Sequence, residues 1–206
     1  MIDCGEDWRG RAADVKPHAI VPTHAHPDHA WGLQDGAPCG VWATAETWQD
    51  IKAYHIDERH VVHPEKPFAV DGIQFESWTV EHSTRCPAVG YRIRAGRPLV
   101  WYAPDLVYIH RREQALADVD LYIGDGATPE RSMVRRRGDR LIGRTPIRTQ
   151  LTWCGKEGVP EAAITHCGSR IVTGDERTLG ARIRRWAAER GISAGIAFDG
   201  MERILR

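Results

Sequence analysis

Several things are scarce in this chain. No apolar run approaches the roughly 20 residues of a membrane-spanning helix. The opening MIDCGEDWRG also lacks the charged-then-apolar pattern of a secretory leader. The expectation is a soluble, cytoplasmic protein with no membrane partner. Net charge is missing too: 28 Lys plus Arg balance 28 Asp plus Glu. No global field steers such a protein toward nucleic acid, so any polyanion contact has to be local. The five cysteines, Cys4, Cys39, Cys86, Cys154 and Cys167, are odd in number, scattered and without a C-x-x-C pair. That argues against a disulfide framework or a thiolate zinc knuckle, and for reduced, mostly buried thiols. Low-complexity tracts, repeats and long Pro/Gly/Ser linkers are absent as well, so residues 1–206 read as one domain.

What is present alternates between strand and helix signals. HAIVPT and VWAT read as buried strands, and TAETWQDIKAY as a helix capped by Thr44. FAVDGIQFESWTVEH carries a turn at Asp71-Gly72 between two runs rich in β-branched and aromatic residues, and VGYRIRAGRPLVWYAP two strands joined at Ala95-Gly96. Further on, LVYIHRREQALADV reads as helix, DLYIG as strand, and TPIRTQLTWCGKEGV as a helix with Thr145 at the N-cap and Pro146 in its first position. AAITH is a strand, DERTLGARIRRWAAERG an amphipathic helix closed by Gly191, and AGIAFDG a last strand. Antiparallel hairpins in the middle and helical crossovers later imply an α/β (α+β) fold, sheets covered by helices.

The stretch VPTHAHPDHA packs His24, His26, Asp28 and His29 into six positions. On an extended chain residues two apart share a face, so His24 and His26 can reach one point. Pro27 then bends the chain into a short helix that turns Asp28 and His29 toward a second point. Neutral imidazoles and carboxylates without thiolates suit divalent zinc, manganese or iron in a catalytic rather than a structural role. Two ions need more ligands than this segment holds. Three candidates follow strand-like runs: His82 after SWTVE, Asp105 after PLVWYAP and His166 after EAAIT.

This H-x-H-x-D-H segment, followed by a lone His, an Asp and a final His, resembles the metallo-β-lactamase-fold hydrolases over nearly the whole chain. The resemblance implies an αββα sandwich with a dinuclear site at one edge. His24, His26 and His82 would hold one metal, Asp28, His29 and His166 the other, and Asp105 would bridge them. IDCG near the start and AFDGM near the end look like strands of that family. The His-Ser pair and Gly-Tyr strand in VEHSTRCPAVGYRI resemble the phosphodiesterase branch, which includes tRNA 3′-end endonucleases and cyclic ribosyl-phosphate phosphodiesterases. Glyoxalase, lactonase and β-lactamase members typically place Gly before the His that corresponds to His82. The 22 residues between His82 and Asp105 leave no room for the endonucleases' inserted arm. A small phosphodiester is therefore the expected substrate and nucleic acid is not, since RNA affinity depends on phosphate neutralisation. Two ions in such a site lower the pKa of a shared water from about 15.7 toward about 7. Asp28 is expected to orient it or take its proton.

The sequence departs from the family pattern twice. Where phosphodiesterase relatives carry a His near the leaving group, this chain has Arg144, a bidentate phosphate clamp but a poor proton donor. Relatives also place further strands ahead of the segment matching IDCG. The fold is thus expected to be short of N-terminal strands, with an exposed edge or a homodimer covering it. Arg131, Arg135, Arg136, Arg137 and Arg140 read as a solvated loop before a phosphate or nucleotide rim. His55, His60 and His63 read as surface or core histidines rather than an accessory metal site, and Cys167 as a small buried residue. The eight Trp fill the sandwich, with Trp31 able to wall the pocket. Ser83 either supports a ligand or ends its strand. An ester, lactone or thioester hydrolase on the same ions, or a metal-binding homologue without catalysis, are the competing functions.

Overall fold

The computed structural model describes residues 1–205. A small parallel sheet comes first, built from β1 (Ala19–Ile20), β2 (Gly40–Thr44) and β3 (Arg59–Val62). Between its first two strands lies α1 (Pro27–Ala30), a single turn that starts at Pro27. After β2 comes α2 (Ala45–Asp50), whose first turn is capped by the Thr44 hydroxyl accepting from the Thr47 amide. Pro27 opens α1 because its fixed φ suits a first helical turn and its missing N–H costs nothing there.

The second sheet has eight described strands, in the order β13 (Ser193–Ile196), β12 (Glu161–Thr165), β9 (Leu121–Asp125), β7 (Leu99–Ala103), β6 (Ala88–Arg94), β5 (Ile73–Glu81) and β4 (Phe68–Val70), with β8 (Tyr108–Ile109) paired to β5. β4 (Phe68–Val70) and β5 (Ile73–Glu81) form the expected hairpin. Its two turn residues, Asp71 and Gly72, both have positive φ, the twist that joins antiparallel strands tightly. β6 (Ala88–Arg94) and β7 (Leu99–Ala103) continue the antiparallel pairing. LVYIHRREQALADV is not the helix expected of it. It gives β8 (Tyr108–Ile109), which pairs with β5, and the single turn α3 (Arg112–Ala115). Arg111 in the left-handed region separates the two, and burial of Leu106, Ile109, Ala115 and Leu116 in the core overrides helical propensity.

β9 (Leu121–Asp125) adds parallel to β7. The arginine-rich segment then forms a hairpin, β10 (Arg135–Arg137) and β11 (Arg140–Ile142), where a loop was expected. α4 (Ile147–Glu157) begins one residue later than expected, with Pro146 rather than Thr145 at the N-cap. β12 (Glu161–Thr165), α5 (Ser169–Val172), α6 (Glu176–Ala188) and β13 (Ser193–Ile196) complete the chain, the two strands parallel to β9. AFDGM is not a strand: β13 stops at Ile196, and Asp199-Gly200 turns, with Gly200 at positive φ. IDCG contributes only a bridge from Ile2 to Val21, because Asp3 adopts positive φ and leaves extended geometry.

Strand alternation assigns the layers. Phe75, Val89 and Tyr91 of the large sheet meet Val21 and Val62 from the small one, so the two sheets pack face to face. On the far side of the large sheet Trp78, Val80 and Trp101 pack with Leu151 and Trp153 of α4 and Ile183 and Trp186 of α6. Trp48 of α2 and Ile51, just beyond its end, cover Val41 and Ala43 on the far side of the small sheet. Helix, sheet, sheet, helix is the αββα order, and five of the eight Trp (Trp48, Trp78, Trp101, Trp153, Trp186) are buried in it. Among the described residues no helix is long and apolar enough to cross a membrane.

Strand direction puts the site where it is. β5, β7, β9 and β12 all run the same way, so the residues that follow them emerge at one edge of the large sheet. The loop after β1 reaches that edge from the small sheet, and the Tyr91 hydroxyl on β6 donates to the Pro22 carbonyl at 2.9 Å to hold it there.

Candidate metal centre

His24, His26, His82 and Asp105 offer four ligand atoms all within 4.8 Å of one another, and Asp28, His29, Asp105 and His166 do the same beside them. The seven residues named from the sequence thus meet at one place, and Asp105 belongs to both groups. It is the least exposed carboxylate of the set, with a side chain 1 % accessible. One of its oxygens, Oδ2, lies 3.0 Å from His82 Nε2, 3.5 Å from His29 Nε2 and 3.6 Å from His24 Nε2. The other, Oδ1, lies 3.2 Å from His166 Nδ1.

Hydrogen bonds behind the cluster decide which ring nitrogens face inward. His29 Nδ1–H donates to Asp3 Oδ2 at 2.8 Å. His24 Nδ1–H donates to the Thr23 hydroxyl at 3.0 Å, and that hydroxyl donates in turn to Asp3 Oδ1 at 2.9 Å. His82 Nδ1–H donates to the Gly143 carbonyl at 3.1 Å. These partners fix the tautomers so that each of the three rings presents a bare Nε2 to the centre. His26 Nδ1 then sits 2.8 Å from His24 Nε2 and 3.2 Å from His82 Nε2. Three ring nitrogens this close, with at most one hydrogen to share, suit a cation between them. His29 Nε2 and both oxygens of Asp105 are buried without a hydrogen-bond partner. Buried polar atoms are rarely left so, and a divalent ion satisfies all three at once. The donor set, imidazole and carboxylate without thiolate, fits zinc, manganese or iron.

The electrostatics agree. Burial alone would lower the pKa of His29, but the carboxylates of Asp105, Asp28 and Asp3 around it push it up to about 12. Three carboxylates that hold a proton so firmly hold a metal cation by the same attraction. His24 is lowered by burial and by its neighbour His29, and His26 by burial and His82. Asp28, exposed at the mouth, is held well below the usual carboxylate range by hydrogen bonds with His166 and His29. Asp105 is likewise lowered: burial opposes its charge, but His29, His82 and Arg144 outweigh burial.

Arg144 sits at the rim. Its Nη1 lies 2.5 Å from Asp105 Oδ1 and 3.2 Å from Asp125 Oδ1, and donates to His166 Nδ1 at 2.8 Å. The approach to Asp105 is at ion-pair distance but without hydrogen-bond alignment, which leaves the Asp105 lone pairs free. His166 Nε2–H faces Asp28 Oδ2 at 3.0 Å, and its backbone is in the left-handed region, an arrangement that a site over-determined by its surroundings can sustain.

Two carboxylates here were not singled out from the sequence. Asp3, read only as part of a strand, is the anchor of the His24–His29 network, through the Thr23 hydroxyl and His29 Nδ1. Asp125 ends β9 beneath Arg144. Its pKa rises to about 6 through burial, despite the opposing guanidinium of Arg144. The IDCG segment reaches the site because Gly5 has no side chain: a Cβ there would lie 2.1 Å from the Asp28 carbonyl oxygen. Cys4 N–H donates to His29 O at 2.7 Å, which fastens the segment to α1.

Other candidates lie elsewhere. His60 pairs with Glu58 at 2.7 Å and stacks on Trp42, and neither it nor His55 or His63 joins a ligand group among the described residues. The Ser83 hydroxyl accepts from the amides of Arg85 and Cys86, so it closes a turn rather than supporting a ligand. Trp31 is 37 % exposed and lines none of the cavities beside His166.

Comparisons with known proteins agree with this architecture. The metallo-β-lactamase-fold protein YhfI from Bacillus subtilis is similar at 17 % identity over 97 % of this chain and 84 % of its own, with a TM-score of 0.69. A diphosphatase from the PhnP family is similar at 18 % identity over 100 % of this chain and 79 % of its own, TM-score 0.70. Human tRNase Z, short form, is similar at 14 % identity over 97 % and 85 %, TM-score 0.62. No curated protein matches the chain by sequence. Residues 1–167 match the family described as the beta-lactamase superfamily domain, and with the αββα layers and the His/Asp cluster at their shared edge the chain belongs to that superfamily of metal-dependent hydrolases.

Proposed function

We propose that the protein is a dinuclear phosphodiesterase acting on a small phosphodiester or cyclic phosphate, with zinc or manganese, or iron, as its pair of divalent cofactors. His24, His26, His82 and Asp105 would hold one ion and Asp28, His29, Asp105 and His166 the other. The observation that carries the reading is Arg144: a donor-only, permanently charged fork stands at the rim of both ligand groups and lines a cavity of about 610 Å³ beside His166. A guanidinium in that place complements the several oxygens of a phosphoryl group better than a neutral ester carbonyl. The similarity to a diphosphatase and to tRNase Z supports the same choice.

Bound divalent ions supply Lewis acidity and make hydroxide available near neutral pH. The chain's own residues do the rest. Asp28, ionised at neutral pH and open to solvent, would orient the attacking water or accept its proton. Arg144 leaves Asp105 and Asp125 for the phosphoryl oxygens and holds them as charge grows. Arginine cannot protonate a leaving oxygen, and among the described residues the cavity wall carries no carboxyl, lysine or tyrosine to do so, its one histidine, His166, being assigned to the metal site.

The expected result follows. A 4-nitrophenyl phosphodiester is hydrolysed by the metal-reconstituted protein, and the matching alkyl diester at least about 100-fold more slowly, the lower end of what general acid help is worth. Arg144→His raises alkyl turnover; a fall would overturn this account of Arg144. Steady-state rates on a panel of aryl, alkyl and cyclic phosphodiesters, a lactone and a thioester give the answer. Preference for the lactone or thioester would transfer the site to acyl chemistry, and no hydrolysis of any member by metal-loaded protein would leave a metal-binding homologue.

A further inference from the structure

His166 borders two cavities of opposite character. The one of about 610 Å³ is lined by Arg131, Arg135, Arg144 and Arg170. The other, of about 490 Å³, has among the described residues no Lys or Arg on its wall. Ile171, Val172, Ile196, Ala197 and Phe198 give it an apolar surface, and Asp199 is its one carboxylate. Its volume is that of a site for a small organic group.

Local structure separates the two. Gly168 packs so closely on the loop after β9 that a Cβ would stand 2.4 Å from the Ala127 carbonyl oxygen, and its N–H donates to the Gly126 carbonyl at 3.0 Å. That contact starts α5 immediately, and its single turn divides the cavities: Arg170 lines the first, Ile171 and Val172 the second. β13 ends at Ile196, yet Ala197 N–H still donates to the Ile164 carbonyl of β12 at 2.8 Å. Met201 N–H then closes a turn onto the Phe198 carbonyl at 3.0 Å. Phe198 is therefore held beside the strand that leads to His166. Packing does not account for its place. Of the three Phe, Phe68 and Phe75 stack on each other between the sheets with ring centroids 5.4 Å apart, whereas Phe198 is 65 % exposed and Val172, on the same cavity wall, 71 %. Single exposed apolar side chains are ordinary, but two on one concave wall that ends at a metal-site histidine provide a seat for an apolar group.

We infer that the 490 Å³ cavity is an apolar subsite that seats an aryl arm of the substrate against Phe198, with Val172 and Ile196 around it. The substrate class is thus an aryl phosphodiester. Charge agrees with this choice, because the Asp199 carboxylate repels an anionic arm and leaves an uncharged ring undisturbed. Chemistry agrees as well: a phenol, with a pKa of about 10, departs as its anion without the proton donor that the arginine-lined wall lacks. The inference names the substrate class of the phosphodiesterase reading and rests on it for the reacting bond, but the subsite can be read by binding alone.

The test compares phenylphosphonate with methylphosphonate, two anions that differ in the ring and are not hydrolysed. Calorimetry gives the ratio of their Kd values for the metal-loaded wild-type protein, for Phe198→Ala and for Phe198→Tyr. Phe198 is largely exposed, so neither variant opens the core. Wild type is expected to bind phenylphosphonate about tenfold or more tightly than methylphosphonate, as partial burial of a ring implies. Phe198→Ala lowers that preference about fivefold, the size of one aromatic pair, and Phe198→Tyr, which keeps the ring, retains it. A preference below about twofold in wild type, or one undiminished in Phe198→Ala, overturns the subsite. Turnover of methyl 4-nitrophenyl phosphate is measured in parallel. Failure of the metal-loaded wild type to cleave it, with the preference for phenylphosphonate intact, overturns the phosphodiesterase reading and leaves the aryl subsite standing.

Discussion

Asp105→Asn is expected to reduce bound divalent metal from the two ions of the proposed site to one or none and to lower turnover by about 1,000-fold or more. Among the described residues it is the only carboxylate that belongs to both ligand groups, with Oδ2 3.0 Å from His82 Nε2 and Oδ1 3.2 Å from His166 Nδ1. An asparagine keeps one weak oxygen ligand and removes the negative charge that offsets two cations. A Lewis-acidic ion contributes several kcal/mol to such a reaction, and each 1.36 kcal/mol is a factor of ten in rate, so losing one or both ions reaches that magnitude. Metal analysis after dialysis, paired with hydrolysis of a 4-nitrophenyl diester, checks it. Full metal content with turnover within tenfold of wild type would show that Asp105 is not shared.

Asp3→Asn is expected to weaken one of the two ions by about 10–100-fold and leave the other nearly unchanged, the usual magnitude for losing an outer partner of a ligating His. Two donors from Thr23, its amide at 2.6 Å and its hydroxyl at 2.9 Å, converge on Asp3 Oδ1. The amide oxygen of an asparagine takes that position, which turns its NH₂ toward His29 Nδ1. Two donors then face each other, and His29 must carry its hydrogen on Nε2, the nitrogen aimed at Asp28 and Asp105. His24 keeps its Thr23 partner and its ligand group. Calorimetric titration with zinc should resolve one affinity like wild type and one weakened, with turnover recovering at high metal concentration. Equal weakening of both would mean that Asp3 acts on the fold and not on His29.

The residues of the candidate metal centre stood out in the sequence because their chemistry is unusual and their placement regular. Imidazoles and carboxylates directly after apolar runs have few other reasons to be there, and parallel strands carry such positions to one edge. The β4–β5 hairpin was equally plain, since Asp71-Gly72 demands positive φ. What could not be read was decided by tertiary contact. LVYIHRREQALADV has the composition of a helix, but Leu106 and Ile109 are drawn into the core and Tyr108–Ile109 finds an open edge on β5. IDCG has the apolar start of a strand, and only the folded structure reveals that Asp3 leaves it to accept from Thr23 and His29. The arginines of RSMVRRRGDR looked like a solvated loop because charge in sequence says nothing of direction. Arg131 and Arg135 line the cavity beside His166, next to the hairpin closure between Met133 and Arg144, a hydrogen bond that spans the loop.

The central claim is that two divalent ions share Asp105 between His24, His26 and His82 on one side and Asp28, His29 and His166 on the other. Anomalous diffraction from crystals of the zinc- or manganese-loaded protein tests it most directly. Two anomalous peaks about 3.5–4 Å apart, each within bonding distance of its own three residues and both of Asp105, are the predicted result. A single peak, or metal held away from Asp105, would contradict it.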